Sequence, residues 1–258
     1  MKKTFLMHVE KIAHDGAALG THEGKAVHVH GMLPGEEGIV EISKKYGVYA
    51  GILKELTLAS TRRKSPEELH YLSCSPWQVM EYPLQVELKH ALLQELFGYY
   101  KNGPHVNFIP ATQFYGCRTK VEFSFTDREG ESEIPLSLAF HVRGGGSARI
   151  PLPAGCALVS ESMNRAALAI VEKLRVLGYA ANDLKTLVIR ESKSIHANEK
   201  SHLGGQAGKF LAILYAKKDT IAKFPVDDIP DLAGFFAFYS TEKSPASVET
   251  KALWRWGD

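Results

Sequence analysis

Along the first sixty positions apolar residues alternate with polar ones, and three- and four-residue spacing takes over only further on. Lys25-Ala26-Val27-His28-Val29-His30 puts Val27 and Val29 on one face, the period-two mark of a half-buried strand. Gly38-Ile39-Val40-Glu41-Ile42-Ser43 and Val48-Tyr49-Ala50-Gly51-Ile52-Leu53 predict two more short strands, with the basic Lys44-Lys45-Tyr46-Gly47 as the hairpin connection between them. Gly31-Met32-Leu33-Pro34-Gly35-Glu36 has turn chemistry, Pro fixing φ and Gly allowing positive φ. Short strands joined by Gly-containing turns in so few residues predict a small closed OB-like β-barrel, which has no edge strand to protect.

The polar bridge Ser60-Thr61-Arg62-Arg63-Lys64-Ser65-Pro66-Glu67-Glu68 predicts a linker, dividing the chain into a barrel over 1–60 and a second domain over 61–258. Beyond it, Leu84, Leu88, Leu92, Leu93 and Leu96 recur at helical spacing, with Pro83 suited to a first turn. Val121, Phe123 and Phe125, then Leu136, Leu138, Phe140 and Val142, alternate as two antiparallel-type strands. Gly144-Gly145-Gly146-Ser147 turns the second of these into Ala148-Arg149-Ile150. A helix follows over Ser160–Leu177, with Met163, Ala167, Ile170, Val171, Leu174 and Leu177 on its buried face and Gly178 placed to end it. Strands are predicted at Thr186–Glu191, Lys209–Ala216 and Phe235–Tyr239, giving an α+β fold class with an antiparallel sheet. Leu253-Trp254-Arg255-Trp256 near the end reads as a docked tail or a chain cut at a domain boundary.

Composition narrows the class without naming a function. The 258 residues are 45% apolar and 23% charged, which excludes a mainly disordered or collagenous protein. No apolar run approaches a membrane span, and the N-terminal apolar stretch is too short for a signal peptide. Three cysteines far apart argue against a disulfide framework and for a cytoplasmic, reducing setting. The net charge is only +2, but from Met1 to Ser65 ten basic residues face seven acidic ones, so the excess sits in the barrel and the bridge.

Candidate chemistry is mostly negative. His28 and His30 share a strand face, yet lack the third ligand a metal needs, and read as exposed histidines. Gly204-Gly205-Gln206-Ala207-Gly208-Lys209 has Leu203 and Phe210 where a phosphate loop needs Gly and Ser or Thr, so it reads as a strand-connecting turn. No Gly-rich turn joins a buried parallel strand to a helix, as a dinucleotide or adenosylmethionine site requires. Cys117, beside Arg118 and near Lys120, is the best-placed nucleophile among the cysteines; Cys74 and Cys156 read as small buried residues. Arg118, Lys120, Arg143 and Arg149, with Trp77, Tyr82 and Tyr115, read either as a basic–aromatic surface for single-stranded nucleic acid or as a solvated, salt-bridged sheet face.

Read together, these segments resemble the N-terminal half of the TRAM-containing RNA uracil-5-methyltransferases. The TRAM-like pattern runs from Ile12-Ala13-His14-Asp15-Gly16 through Gly24–Glu36 to Ala50-Gly51-Ile52-Leu53 and Ser60-Thr61-Arg62-Arg63. Trp77-Gln78-Val79-Met80-Glu81-Tyr82, with Gln85 and Lys89, is similar to the family's W-Q-H-x-x-Y-x-x-Q-x-x-x-K run, Val79 replacing His. Arg118-Thr119-Lys120-Val121-Glu122-Phe123 resembles its Y-R-N-K strand, with Cys117 in place of Tyr. Phe140-His141-Val142-Arg143-Gly144 and Cys156-Ala157-Leu158 to Met163-Asn164 resemble its F-x-x-R-G and C-x-L…L-N segments.

The resemblance implies an RNA-binding, substrate-positioning region that grips rRNA or tRNA, locally single-stranded, through Lys44, Lys45, Arg62, Arg63, Lys64, Trp77, Gln78, Arg118, Lys120, Arg143 and Arg149. Family members use S-adenosylmethionine and a nucleophilic Cys in a D-P-P-R-x-G loop of a C-terminal Rossmann-like domain. None of the three cysteines has that context, so catalytic and cofactor-binding residues are expected elsewhere, on a downstream segment or a separate polypeptide. Many members also hold an iron–sulfur cluster on four Cys; here the matching positions are Pro66, Leu72, Ser75 and Cys156, so no cluster is expected. A stand-alone RNA-binding protein without methyltransferase activity, and an enzyme of another kind using Cys117, remain the alternatives.

Overall fold

Five strands close on themselves in the order β1-β2-β3-β5-β4: β1 (Lys3–Ile12), β2 (Ala18–His22), β3 (Lys25–His30), β4 (Glu37–Lys45) and β5 (Val48–Leu58). This computed structural model describes residues 3–45, 47–98, 108–144, 147–192, 208–244 and 248–257. It divides into two units, Met1–Thr112 with Val142–Gly146, and Gln113–His141 with Ser147–Asp258.

The barrel holds two strands beyond the three that alternation predicts. In β1 the inward row Phe5, Met7 and Val9 is obscured by Leu6, an outward Leu that is 63% exposed. β2 has five residues and carries Gly20, too little apolar length to stand out. Lys44 and Lys45 are not the hairpin loop: they end β4, opposite Tyr49 and Val48, and Gly47 turns the chain at φ +84°. Met7, Val9, Val27, Val29 and Val40 fill the interior. Gly51 permits this closure, since a Cβ there would lie 2.5 Å from a Val40 methyl.

The polar stretch after the barrel is held firmly. Glu36, fully buried, receives Arg63 Nε at 2.7 Å on one carboxylate oxygen and Arg63 Nη2 at 2.7 Å on the other, and accepts the Leu33 and Ser60 N–H groups. Arg63 also donates to the Gly31 carbonyl. A buried carboxylate with four donors around it is satisfied, and the pair ties the 31–36 turn to the chain leaving the barrel. A short helix α1 (Tyr71–Cys74) and a 3-10 turn at Pro76–Val79 lead into α2 (Tyr82–Phe97). Leu88 and Leu92 of α2 pack on the barrel core, while Leu84 and Leu88 cover Leu33, Val79 and Met80.

The second unit is a seven-stranded sheet in the order β12-β11-β10-β9-β6-β7-β8. Its strands are β6 (Lys120–Glu129), β7 (Ser132–His141), β8 (Arg149–Pro151), β9 (Leu184–Ser192), β10 (Lys209–Ala216), β11 (Leu232–Tyr239) and β12 (Lys251–Trp256). All neighbours are antiparallel except β10 and β11, which run parallel. Helix α3 (Glu161–Val176) begins at Ser160, whose hydroxyl accepts the Met163 N–H, and Gly178 follows it at φ +75°. Met163, Ala167, Ile170, Val171 and Leu174 form its buried row as the spacing predicts, joined by Ala166, but Leu177 lies just past the last helical residue and is 41% exposed. The two C-terminal Trp belong to edge strand β12, where Trp254 stacks on Phe235 at 4.7 Å and meets Phe224 edge-on. The result is a closed barrel followed by an α+β unit. Among the described residues no helix is long and apolar enough to cross a membrane.

Candidate nucleic-acid interface

Inward-facing rows of a barrel need apolar residues only as far as the interior extends. At one mouth of this barrel several rows run past the core and change character. Val29 and Val27 lead to Lys25, Val40 and Ile42 to Lys44, and Met7 and Phe5 to Lys3. Gly51 leads to Tyr49, which the β4–β5 register sets directly opposite Lys44 and the β3–β5 register beside Val27. The outcome is a groove lined by Lys3, Phe5, His22, Glu23, Ile42, Ser43, Lys44 and Tyr49.

Its chemistry centres on the Tyr49 ring. The Lys25 and Lys44 ammonium groups lie 5.5 Å and 5.3 Å from the ring centroid, and Lys25 Nζ also approaches the Tyr49 hydroxyl at 3.4 Å. Among the described residues neither ammonium has a carboxylate within ion-pair reach. Phe5 and His22 add a pair of rings, with centroids 3.8 Å apart. Half-exposed rings flanked by cations suit a nucleobase and its phosphates, with stacking worth about 1–3 kcal/mol per base.

On the second unit, strand register gathers another mixed surface. Lys120 pairs with Arg190, Arg190 with Leu211, Tyr215 with Phe238, and Phe236 with Arg255, so these side chains share one face of the sheet. Arg149, reached through Ser124, Ala139 and Pro151, emerges on the same face. Tyr215 and Phe238 stack at 5.7 Å. This face also carries acid: burial first, then Glu249 and Glu122, push the Tyr215 hydroxyl up, with Arg190 opposing them. Lys120 sits 3.8 Å from Glu122. The opposite face, with Phe123, Leu187, Ile189, Phe210, Leu214 and Phe235, is buried.

The other residues expected at an interface are placed differently. Arg62 is held by Glu87 in a two-pronged pair at 2.6 Å and 3.1 Å, and Arg63 is the partner of buried Glu36. Lys64 Nζ lies 3.5 Å from Glu67. Trp77 donates from Nε1 to the Gly16 carbonyl at 2.7 Å, packs on the barrel core and carries Lys89 over its ring. Gln78 is 3% exposed. Arg63 and Trp77 thus serve the packing of the first unit through partners distant in sequence, and Gln78 through Glu68 and Cys74 of the segment just before it. Arg143 belongs to the first unit and donates from Nε to the Leu72 carbonyl; it is not grouped with Arg118, Lys120 and Arg149. Arg118 is exposed, its backbone fixed through Leu158. The Lys45 side chain, Gly145-Gly146 and the Gly204–Ala207 part of the loop lie outside the described residues.

Lys3, Phe5, His22, Lys25 and Tyr49, and on the sheet Arg190, Tyr215, Phe236, Phe238 and Arg255, are the residues that sequence reasoning misses. A signal did exist for the first group, in the basic residue that caps an alternating apolar row. His28 bonds Asp15 at 2.8 Å, and among the described residues His28 and His30 join no group of three potential ligands. Residues 217–231, which connect the parallel pair β10 and β11, contain no α-helix.

No family model matches the chain. It is 26% identical over 231 residues to the 23S rRNA (uracil(1939)-C(5))-methyltransferase RlmD of Shewanella frigidimarina, covering 82% of this chain and 50% of that protein. With RlmD of Erwinia tasmaniensis it shares 25% identity over 238 residues, 85% and 53% of the two chains. Among solved structures it is similar in fold, with a TM-score of 0.67 and 17% identity, to the Pyrococcus abyssi tRNA (uracil-54, C5)-methyltransferase in complex with S-adenosyl-L-homocysteine. That match covers 98% of this chain and 55% of the other. The chain spans about half the length of the curated relatives it matches.

Proposed function

From a chain that is a relative of the RNA uracil-5-methyltransferases, we propose that these residues are the RNA-binding, substrate-positioning region of an S-adenosylmethionine-dependent RNA (uracil-5-)-methyltransferase acting on rRNA or tRNA. The observation that carries the reading is the half-exposed Tyr49 ring at the barrel mouth, with two lysine ammonium groups 5.5 Å and 5.3 Å from its centroid. A base stacks there while Lys25, Lys44 and Lys3 neutralise adjacent phosphates. Lys120, Arg149 and Arg118 of the second unit add further phosphate contacts. Single-stranded or splayed RNA is the natural ligand, because its unstacked bases reach a ring that a duplex would keep from them. On this reading methyl transfer itself is carried out by residues outside this sequence.

Fluorescence anisotropy with a labelled, uridine-containing RNA hairpin tests the reading. Native chain should bind, and Lys25→Glu/Lys44→Glu should bind at least tenfold more weakly in the same buffer. Equal binding by both proteins would reject the barrel mouth as the RNA site.

A further inference from the structure

Glu68, His70 and Cys74 lie within a single short stretch, yet the chain bends so that their side chains converge. Tyr71 N–H donates to the Glu68 carbonyl, and the Ser73 and Cys74 N–H groups both donate to the His70 carbonyl. The carboxylate, imidazole and thiol atoms lie within 4.8 Å of one another. His70 Nε2 is 2.9 Å from Glu68 Oε1, and Cys74 Sγ is 3.4 Å from Glu68 Oε2. These are near the edges of about 3.3–3.8 Å that a tetrahedron of bond length 2.0–2.3 Å requires. The Glu68 and His70 side chains are only 9% and 10% exposed, so the three donors meet away from bulk water.

Gln78 supplies an independent observation. It is 3% exposed, and its Nε2 donates both to Glu68 Oε2 at 2.9 Å and to Cys74 Sγ at 3.5 Å. An amide aimed at a carboxylate and a sulfur together is the kind of outer contact that fixes metal ligands in place. Its Oε1 is buried with no partner among the described residues.

We propose that Glu68, His70 and Cys74 are three ligands of a single zinc-class divalent ion, with one further donor completing its shell. Mixed N, O and S donors select zinc over magnesium or calcium, which take oxygen alone. They do not match the usual four-thiolate set of an iron–sulfur cluster, since only one of the three donors is a thiolate. The ion acts as a redox-inert clamp on the segment between barrel and α2. On binding, the Cys74 thiol proton passes to solvent and the sulfur lone pair forms the metal bond.

The test uses the full chain, stripped with chelator and kept reduced. Titration should show one zinc per chain, and cobalt in its place should give a thiolate-to-cobalt charge-transfer band. Cys74→Ser should abolish the band, and Gln78→Ala should weaken zinc binding by about 10–100-fold. Cys117→Ser should leave both unchanged. If Cys74→Ser does not fold, the native cobalt spectrum and Gln78→Ala decide. No thiolate band, zinc affinity indifferent to Gln78, or iron with acid-labile sulfide in anaerobically purified protein would overturn the proposal.

Discussion

Two basic clusters of the first unit end in opposite situations. At the barrel mouth, Lys25 and Lys44 rest on the Tyr49 ring and keep their charge at the surface. At the bridge, Arg62 and Arg63 are each clasped by a carboxylate, Glu87 for one and Glu36 for the other. Those carboxylates lie 25 and 27 positions away in the chain. A run of positive residues therefore says little about binding until the acids that fold onto it are known.

The largest effect should come from breaking the bridge. Arg63→Met strands Glu36 as a buried charge and should cost about 3–5 kcal/mol. A lowered urea midpoint at unchanged slope would report it, and Glu36→Gln in the same protein should recover part of the loss. At the barrel mouth the same chemistry should leave folding intact and change binding instead. Tyr49→Ala should weaken single-stranded RNA by about 1–3 kcal/mol. Lys25→Glu/Lys44→Glu should flatten the plot of log affinity against log salt by about 1.4, since each phosphate contact on a single strand contributes about 0.7.

A smaller effect depends on pH. Burial, and then the nearby Arg143 charge, hold the His30 imidazole below its ordinary value, with Asp15 opposing them. The folded state thus takes up its proton less readily than the unfolded chain. The stability this gives is complete above an unfolded pKa of about 6.5 and is lost as pH falls from there through the lower folded value. Urea midpoints measured from pH 7.5 down to 5.5 should decline, and His30→Gln should flatten part of that slope. Arg62→Gln should be the mildest change, an exposed pair whose loss leaves the melting temperature within error.

Much of the architecture was legible in the sequence, because it depends on local period. Both long helices appear where the leucine spacing and the Ser160 cap put them, and β3, β5, β6, β9 and β10 lie over their alternating runs. β1 was hidden by its outward Leu6, and β12 because Leu253-Trp254-Arg255-Trp256 is bulky on both faces. The binding site was harder. Lys44 was visible as a basic residue, but its partner ring Tyr49 becomes one only through strand register. Arg63 gave no sign of burial, since Glu36, which holds it, lies 27 positions earlier, and Gln78 gave none because the bend that turns Glu68 and Cys74 onto it has no sequence period.

The most direct measurement is photo-crosslinking of the native chain to a 5-iodouridine-substituted RNA, with the attached peptides identified by mass spectrometry. Attachment at Tyr49, or at Phe5 or His22 beside it, is the expected result. Crosslinks confined to the Arg62–Lys64 stretch, with none on the barrel mouth, would contradict it.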